Sequence, residues 1–274
     1  MTAIARTTDD IFTLISSPTM KAALTRAIPT HIKPDRMLRV VLTALRATPA
    51  LGRCQQGTVI GSILQLAALG LEPNTPLGLA YLVPYGNICT PIIGYKGMIE
   101  LAYRSGRIRM LDANVARVGD AFSHHYSFEP DFSYERKAPL TAALTHAWCW
   151  GVTTDGGRFL QVLNAEDIAA RRARSAAGGS RGPWKTDEAA MWRKTAIRAA
   201  QWRLPQSPEM QRVEALARVD AGELALADAL DPNVLDVLED HHLELPSDPA
   251  EPPAEGAGER DEFFGEAART SEAR

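Results

Sequence analysis

The chain has little cysteine, no long apolar run and no phosphate loop, and each shortage removes a class of protein. Its three cysteines among 274 residues, Cys54, Cys89 and Cys149, stand far apart, so they make neither a disulfide scaffold nor a zinc ribbon. No apolar stretch approaches the roughly 20 residues that span a bilayer. The opening residues, MTAIARTTDDIF, lack the apolar core and small-residue cleavage site of a secretory signal, and a reducing cytoplasm is the expected location. There is no GxxxxGK(S/T) loop to cradle nucleotide phosphates. The histidine pairs His124-His125 and His241-His242 are adjacent and lack the spacing of metal ligands. No catalytic centre and no resident cofactor are expected, with Mg²⁺ entering only as a modulator.

What the chain does have is charge, unevenly placed. Its net charge is −3, yet residues 1–219 hold 27 Lys and Arg against 17 Asp and Glu, and residues 220–274 hold 3 against 16. A body at +10 suits a polyanion partner, and a tail at −13 suits a separate contact. A soluble protein with a solubilising tail would show the same division. The 45% hydrophobic and 23% charged composition is that of an ordinary globular chain, with enough apolar residues for a core.

The most informative run is LGLEPNTPLGLAYLVPYGNICTPIIGYKGMIELAYRSG, from Leu69 to Gly106. Two apolar stretches, Leu79–Val83 and Thr90–Ile93, flank the turn residues Pro84-Tyr85-Gly86-Asn87, a spacing that predicts a β-hairpin. Past Gly94, Lys96 to Ser105 reads as a helix stopped by Gly106. Met98, Leu101 and Ala102 fall on one side of it, with Lys96, Tyr103 and Arg104 on the other. Cations for phosphates and rings for bases are what a strand of nucleic acid requires. Lys96, Arg104, Arg107 and Arg109 are the cationic candidates, and Tyr81, Tyr95 and Tyr103 the aromatic ones, although core packing explains any single tyrosine as well.

A second block, GPWKTDEAAMWRKTAIRAAQWRLP, spans Gly182 to Pro205. Thr186, Asp187 and Glu188 supply a helix start and Pro205 an end. Lys194, Arg198 and Trp202 form an i, i+4, i+8 line, flanked by Met191 and Thr195. Ala189, Ala196, Ala200 and Leu204 lie opposite, small enough for close packing on a sheet. The line suits successive phosphates, with Lys185 and Arg193 as further candidates, and it equally suits a solvated cationic stripe. Arg171, Arg172 and Arg174, ahead of the glycine-rich loop Ser175–Gly182, reach DNA or simply end a helix.

The phrases LGLEP, AYLVPYGN and IIGYKGMIELAYRSGRI, with the Gly182–Pro205 block, resemble the RecT family of phage single-strand annealing proteins. VARVGDAF and the strand–DGG–strand stretch near Trp148 to Leu163 match more loosely, so the resemblance runs in order from about Gly57 to Val213. The hairpin tip Gly86-Asn87 is short for the family. The family's lysine–threonine and arginine positions match Lys194, Thr195 and Arg198. The resemblance implies an α+β core with a curved antiparallel sheet and β-hairpin backed by helices. It also implies ATP-independent annealing of single-stranded DNA to a complementary strand, homo-oligomeric rings or helical filaments, and a partner exonuclease in the bacterial host cytoplasm. A metal-dependent nuclease and a protein-interaction scaffold are the rival readings. Glu166-Asp167, the acid pair a nuclease would use, is better explained as part of a helix start.

Three regions are expected: 1–56 as a helical oligomerisation region, 57–219 as the annealing core and 220–274 as an acidic tail. Asp10–Ile15 and Thr19–Ala27 read as short helices whose apolar faces suit either a neighbouring subunit or the chain's own core. Longer helices are read from Lys33-Pro34-Asp35 and over Thr58–Leu69. Strands are expected over Arg109–Val118, Leu140–Thr153 and Arg158–Leu163, with Asp155-Gly156-Gly157 as a hairpin turn and Asn164 as a helix cap. Asp220–Leu230 reads as a bridging helix. The proline- and acid-rich stretch from about Asp231 is expected to be largely disordered, and either to dock a single-strand-binding protein or nuclease or to mask the basic groove when DNA is absent.

Overall fold

A computed structural model describes residues 8–127, 130–173, 183–204 and 207–249. It begins with α1 (Thr8–Ile15), α2 (Pro18–Ala27), α3 (Pro34–Ala47) and α4 (Gln56–Ala68), followed by β1 (Ala80–Tyr85), β2 (Ile88–Ile93) and α5 (Tyr95–Arg104). Next come β3 (Ile108–Arg117), β4 (Ala121–His125), β5 (Asp131–Glu135), β6 (Leu144–Thr153) and β7 (Arg158–Asn164). The later helices are α6 (Ala165–Ala173), α7 (Pro183–Thr186), α8 (Glu188–Ala200), α9 (Pro208–Asp220), α10 (Leu226–Ala229) and α11 (Pro232–Asp240). Short 3-10 turns occupy Pro49–Arg53 and Gln201–Arg203. This is the expected α+β class with small antiparallel sheets. Two compact units emerge, 8–97 with 211–249 and 98–210, divided within α5 and within α9.

The first unit is built around α4. Every residue from Gly57 to Ala67 is buried, so its polar side chains need partners inside the protein. The Cys89 amide donates to Thr58 Oγ1 at 3.0 Å, and Ser62 Oγ donates to the Cys89 carbonyl at 2.9 Å. Together they hold β2 against the helix. Gln65 Oε1 accepts from the Asp231 amide at 2.8 Å, which fixes the start of α11. Ile11, Ile15, Met20, Leu24, Met37 and Val41 are each at most 2% exposed. The apolar faces of the N-terminal helices therefore lie in the chain's own core. Glu72 of the LGLEP phrase is buried and receives Arg36 through two nitrogens, tying the loop after α4 to α3.

The hairpin turn is tighter than the four-residue turn expected from Pro84 to Asn87. Tyr85 pairs directly with Ile88, leaving only Gly86-Asn87 at the tip. Gly86 takes φ +59°, as the first position of a two-residue II′-type loop requires. The tip is also anchored, since the Asn87 carbonyl accepts from the Gln55 amide at 2.7 Å.

Two expectations for the C-terminal part are corrected. No single helix covers Asp220–Leu230: α9 ends at Asp220, and the chain turns through Gly222 at φ +73° before the four-residue α10. The stretch after Asp231 is not all disordered, because Pro232–Asp240 is helical, with Val234, Val237 and Leu238 buried. Asp231 caps that helix by accepting from the Asn233 amide and pairs with Arg212. On α4, Gly57 and Gly61 leave room for this segment. A Cβ on Gly57 would collide with the Glu244 carbonyl, and one on Gly61 would lie 3.0 Å from Leu230 Cδ1 and 3.3 Å from Leu238 Cδ1. Acids and prolines hid a three-residue apolar face. Residues 250–274, including Asp261-Glu262-Phe263-Phe264, lie outside the described residues.

The second unit holds an antiparallel sheet in the order β3-β6-β7. The β4–β5 hairpin, absent from the sequence reading, brings Phe122, Phe132 and Tyr134 over Trp148, Leu160 and Val162. The Phe132 and Tyr134 ring centres lie 4.8 and 5.3 Å from Trp148. Asp120 secures this hairpin, its carboxylate accepting from the amides of Arg117, Lys137 and Ala138 at 2.8–2.9 Å. Alternate β6 positions, Ala147, Cys149 and Gly151, are small and buried, which suits the close packing of α8 on the sheet. Asn164 and Asp167 exchange backbone-to-side-chain hydrogen bonds at the start of α6, so the Glu166-Asp167 pair belongs to a helix cap.

Candidate nucleic-acid interface

Helix α5 can follow β2 directly because Gly94 and Gly97 carry no side chains. The Gly94 amide donates to the Leu79 carbonyl at 3.0 Å, and a Cβ on Gly97 would collide with that same carbonyl. The glycines of GYKG thus serve backbone packing. Met98, Leu101 and Ala102 are buried at 2, 3 and 0% exposure, while Tyr103 and Arg104 are exposed and Lys96 half-buried. That is the division the spacing predicted.

Tyr81, Tyr95 and Lys96 belong to the first unit, and all three are half-buried. Tyr81 fills the space above two glycines: a Cβ on Gly78 would lie 2.9 Å from its hydroxyl, and one on Gly94 3.3 Å from its ring. The same Gly78 position is 3.9 Å from Lys96 Cδ, so Tyr81 and the Lys96 stem converge over that loop.

The remaining candidates belong to the second unit. Arg104 pairs with Glu100 one turn earlier at 3.0 Å. Tyr103 is 41% exposed, but its hydroxyl accepts from the Leu111 amide at 3.0 Å and donates to the Leu111 carbonyl at 3.4 Å. β3 is an edge strand, so this ring blocks one free backbone position. Tyr126 does the same on the opposite edge, its hydroxyl accepting from the Val162 amide at 2.7 Å. Blocked edges resist strand addition. Arg107 and Arg109 are exposed at the start of β3.

On α8, Asp187 accepts from the Ala190 amide at 3.0 Å as the cap. Ala196, Ile197 and Ala200 are buried. Trp192, at 6% exposure, is a core residue that sequence reasoning missed, although its apolar bulk opposite Lys194 and one turn before Ala196 was the available signal. Thr195 is buried, and its hydroxyl donates to the Met191 carbonyl at 2.7 Å. Arg193 Nε donates to Asn114 Oδ1 at 3.2 Å, a link between α8 and β3. Lys194 is half-buried, while Arg198 and Lys185 are exposed. Arg172 is engaged elsewhere, 5.5 Å above the Trp184 ring and 3.6 Å from Glu188. Arg174 lies outside the described residues.

Among the described residues no group of three or more His, Cys, Asp and Glu can hold a metal ion, and no helix is long and apolar enough to cross a membrane. All three thiols are buried, and burial pushes Cys54 up to about 11 and Cys149 up to about 12, far from thiolate reactivity at neutral pH. What the second unit offers is a set of cations on α5, at the start of β3, and on α7 and α8.

The profile of the RecT family matches residues 35–221. The chain belongs to the RecT family. It is 38% identical over 234 residues to Protein RecT of Escherichia coli (strain K12), a match that covers 82% of this chain and 86% of that protein. A shorter match, 33% over 72 residues, joins it to the uncharacterized protein YqaK of Bacillus subtilis (strain 168), covering 26% of this chain and 25% of that protein. The RecT span runs from α3 through α9, and so takes in the buried α4, the hairpin, the sheet and α8. As a RecT-family member the chain is a phage-type single-strand annealing protein of homologous recombination.

Proposed function

We propose that the second unit carries the principal DNA surface, with phosphates of a single strand bound by Arg104, Arg107, Arg109, Lys185, Arg193, Lys194 and Arg198. The observation that carries this reading is that one unit holds the cationic end of the first block and the whole of α8, which packs on β3 and bonds to it through Arg193 and Asn114. In the first unit, taken by itself, Lys96 is a candidate phosphate contact, with Tyr81 over the same Gly78 loop and Tyr95 next to it in sequence as candidate base contacts. Tyr103 serves the fold through its Leu111 contact. Thr195 holds α8 in shape from within, through its bond to Met191.

Annealing asks for little covalent chemistry. Two polyanions must be brought together, so their repulsion has to be neutralised while the bases stay free to pair. Cations on a rigid helix-and-sheet frame do the first, and Watson–Crick pairing supplies the specificity. No step in this scheme consumes ATP, and Mg²⁺ acts only by screening the strands. The protein works as a homo-oligomer, ring or helical filament, in the bacterial cytoplasm, on strands opened by a partner exonuclease. Its acidic C-terminal residues dock a single-strand-binding protein or that nuclease. Since the apolar faces of α1 and α2 lie in the chain's own core, assembly uses other surfaces.

The test is a salt titration of single-strand binding by Lys194→Ala/Arg198→Ala. Each lost phosphate contact lowers the slope of log K against log salt by about 0.7, so the double variant should be flatter by about 1.4. Unchanged affinity and slope would remove both residues from the interface. Incubating labelled DNA with Mg²⁺ separates the nuclease reading, which alone requires cleavage.

A further inference from the structure

Trp202 is the most exposed large apolar side chain among the described residues, at 69%. Its exposure does not come from a loose end. It sits in the 3-10 turn Gln201–Arg203 directly after α8, between two anchored neighbours. Gln201 is buried and its Nε2 donates to the Met210 carbonyl at 3.0 Å. Leu204 is buried at 3%, and its amide bonds back to the Gln201 carbonyl at 3.0 Å. One face of the indole is taken by Arg203, whose guanidinium carbon lies 4.3 Å from the ring centre. Arg198, four residues earlier on α8, is exposed as well.

We propose that the outer face of Trp202 is a stacking platform for one nucleobase of single-stranded DNA, with Arg198 holding an adjacent phosphate. An indole backed on one face by the Arg203 guanidinium offers a base the π-surface it needs, and exposed Arg198 four residues earlier offers its backbone the opposite charge. Such a ring accepts any base, which fits a protein whose partner strand, not its side chains, must read sequence. A second copy of this chain would find the same ring, but the flanking cations favour a polyanion. The inference rests on the DNA-binding reading above and adds a base contact to its phosphate contacts.

The experiment compares the full-length chain with Trp202→Ala and Trp202→Phe, using an oligothymidylate and an abasic sugar-phosphate strand of equal length. Stacking predicts that Trp202→Ala binds the thymidylate roughly 5- to 150-fold more weakly and the abasic strand as the parent does. Trp202→Phe should keep most of the affinity. It should also lose most of the DNA-induced fluorescence quenching, because Trp148, Trp184 and Trp192 are buried and Trp150 is half-buried against the Trp148 cluster. Equal loss on both strands, no loss on either, or a change of sedimentation coefficient without DNA would overturn the platform and, in the last case, assign the ring to self-association. If the parent chain binds neither strand, the DNA-binding reading fails with it.

Discussion

Replacing Leu238 tests whether the acidic C-terminal stretch is part of the folded body. The side chain is 2% exposed and packs toward Gly61 of α4, where even an added Cβ would come within 3.3 Å of its Cδ1. Leu238→Ala removes three carbon groups, worth about 2.4 kcal/mol of transfer free energy at roughly 0.8 each. The cavity left beside a fully buried helix raises this to about 3 kcal/mol, against a total stability on the order of 5–15 kcal/mol. Urea unfolding followed by far-ultraviolet circular dichroism reads the difference. Two truncations complete the experiment. A chain ending at residue 249 should unfold at the parent midpoint. A chain ending at residue 230 should lose more than Leu238→Ala, because it also removes Val234, the Asp231–Gln65 hydrogen bond and the Asp231–Arg212 pair. Equal midpoints for the two truncations would refute the packing of α11 on α4.

Further outcomes follow from single side chains. Tyr103→Phe loses the hydroxyl that occupies Leu111 on the edge of β3, so stability should fall by about 1 kcal/mol while single-strand binding persists; lost binding at unchanged stability would return Tyr103 to the DNA surface. His146 stacks on Phe122 at 4.8 Å between ring centres, and burial, with a smaller contribution from His124, holds its pKa below the ordinary histidine value. The folded chain therefore favours neutral His146. Its contribution is complete above about pH 6.5 and is lost as pH falls from there to the folded-state pKa. Thermal melts at pH 7.5 and 5.5 should show a smaller drop for His146→Phe than for the parent, and an equal drop would contradict this. Asp120→Asn weakens the three amide contacts at the base of the β4–β5 hairpin and should speed amide exchange there but not in α4; uniform exchange across both would count against a local clamp.

The parts of the fold that were legible in the sequence are those with one strong period. The polar and apolar sides of α5 follow from spacing alone, as do the small residues of α8 and the strand–DGG–strand pair. The β4–β5 hairpin was hidden because Phe122, Phe132 and Tyr134 alternate with Ser, His and Glu across segments only five residues long. α11 was hidden by composition, since Asp231, Asp236, Glu239 and Asp240 outweigh the few apolar residues that pack. At the interface, sequence identified which residues carry charge but not how each is held. Tyr103 and Thr195 have polar atoms already occupied by backbone, a fact set by neighbours far along the chain. Trp192 lies within α8 and Trp202 in the 3-10 turn after it, and no period survives the change from α-helix to 3-10 turn.

The central claim, annealing by charge neutralisation on the second unit, is tested most directly by mixing complementary oligonucleotides with the full-length protein, with chelator present and nucleotide absent. Fluorescence transfer between end-labels should report pairing faster than the spontaneous rate, and Lys194→Ala/Arg198→Ala should lose much of that acceleration. A parent chain that leaves the rate at its spontaneous value, or that anneals only when ATP is supplied, would contradict the account.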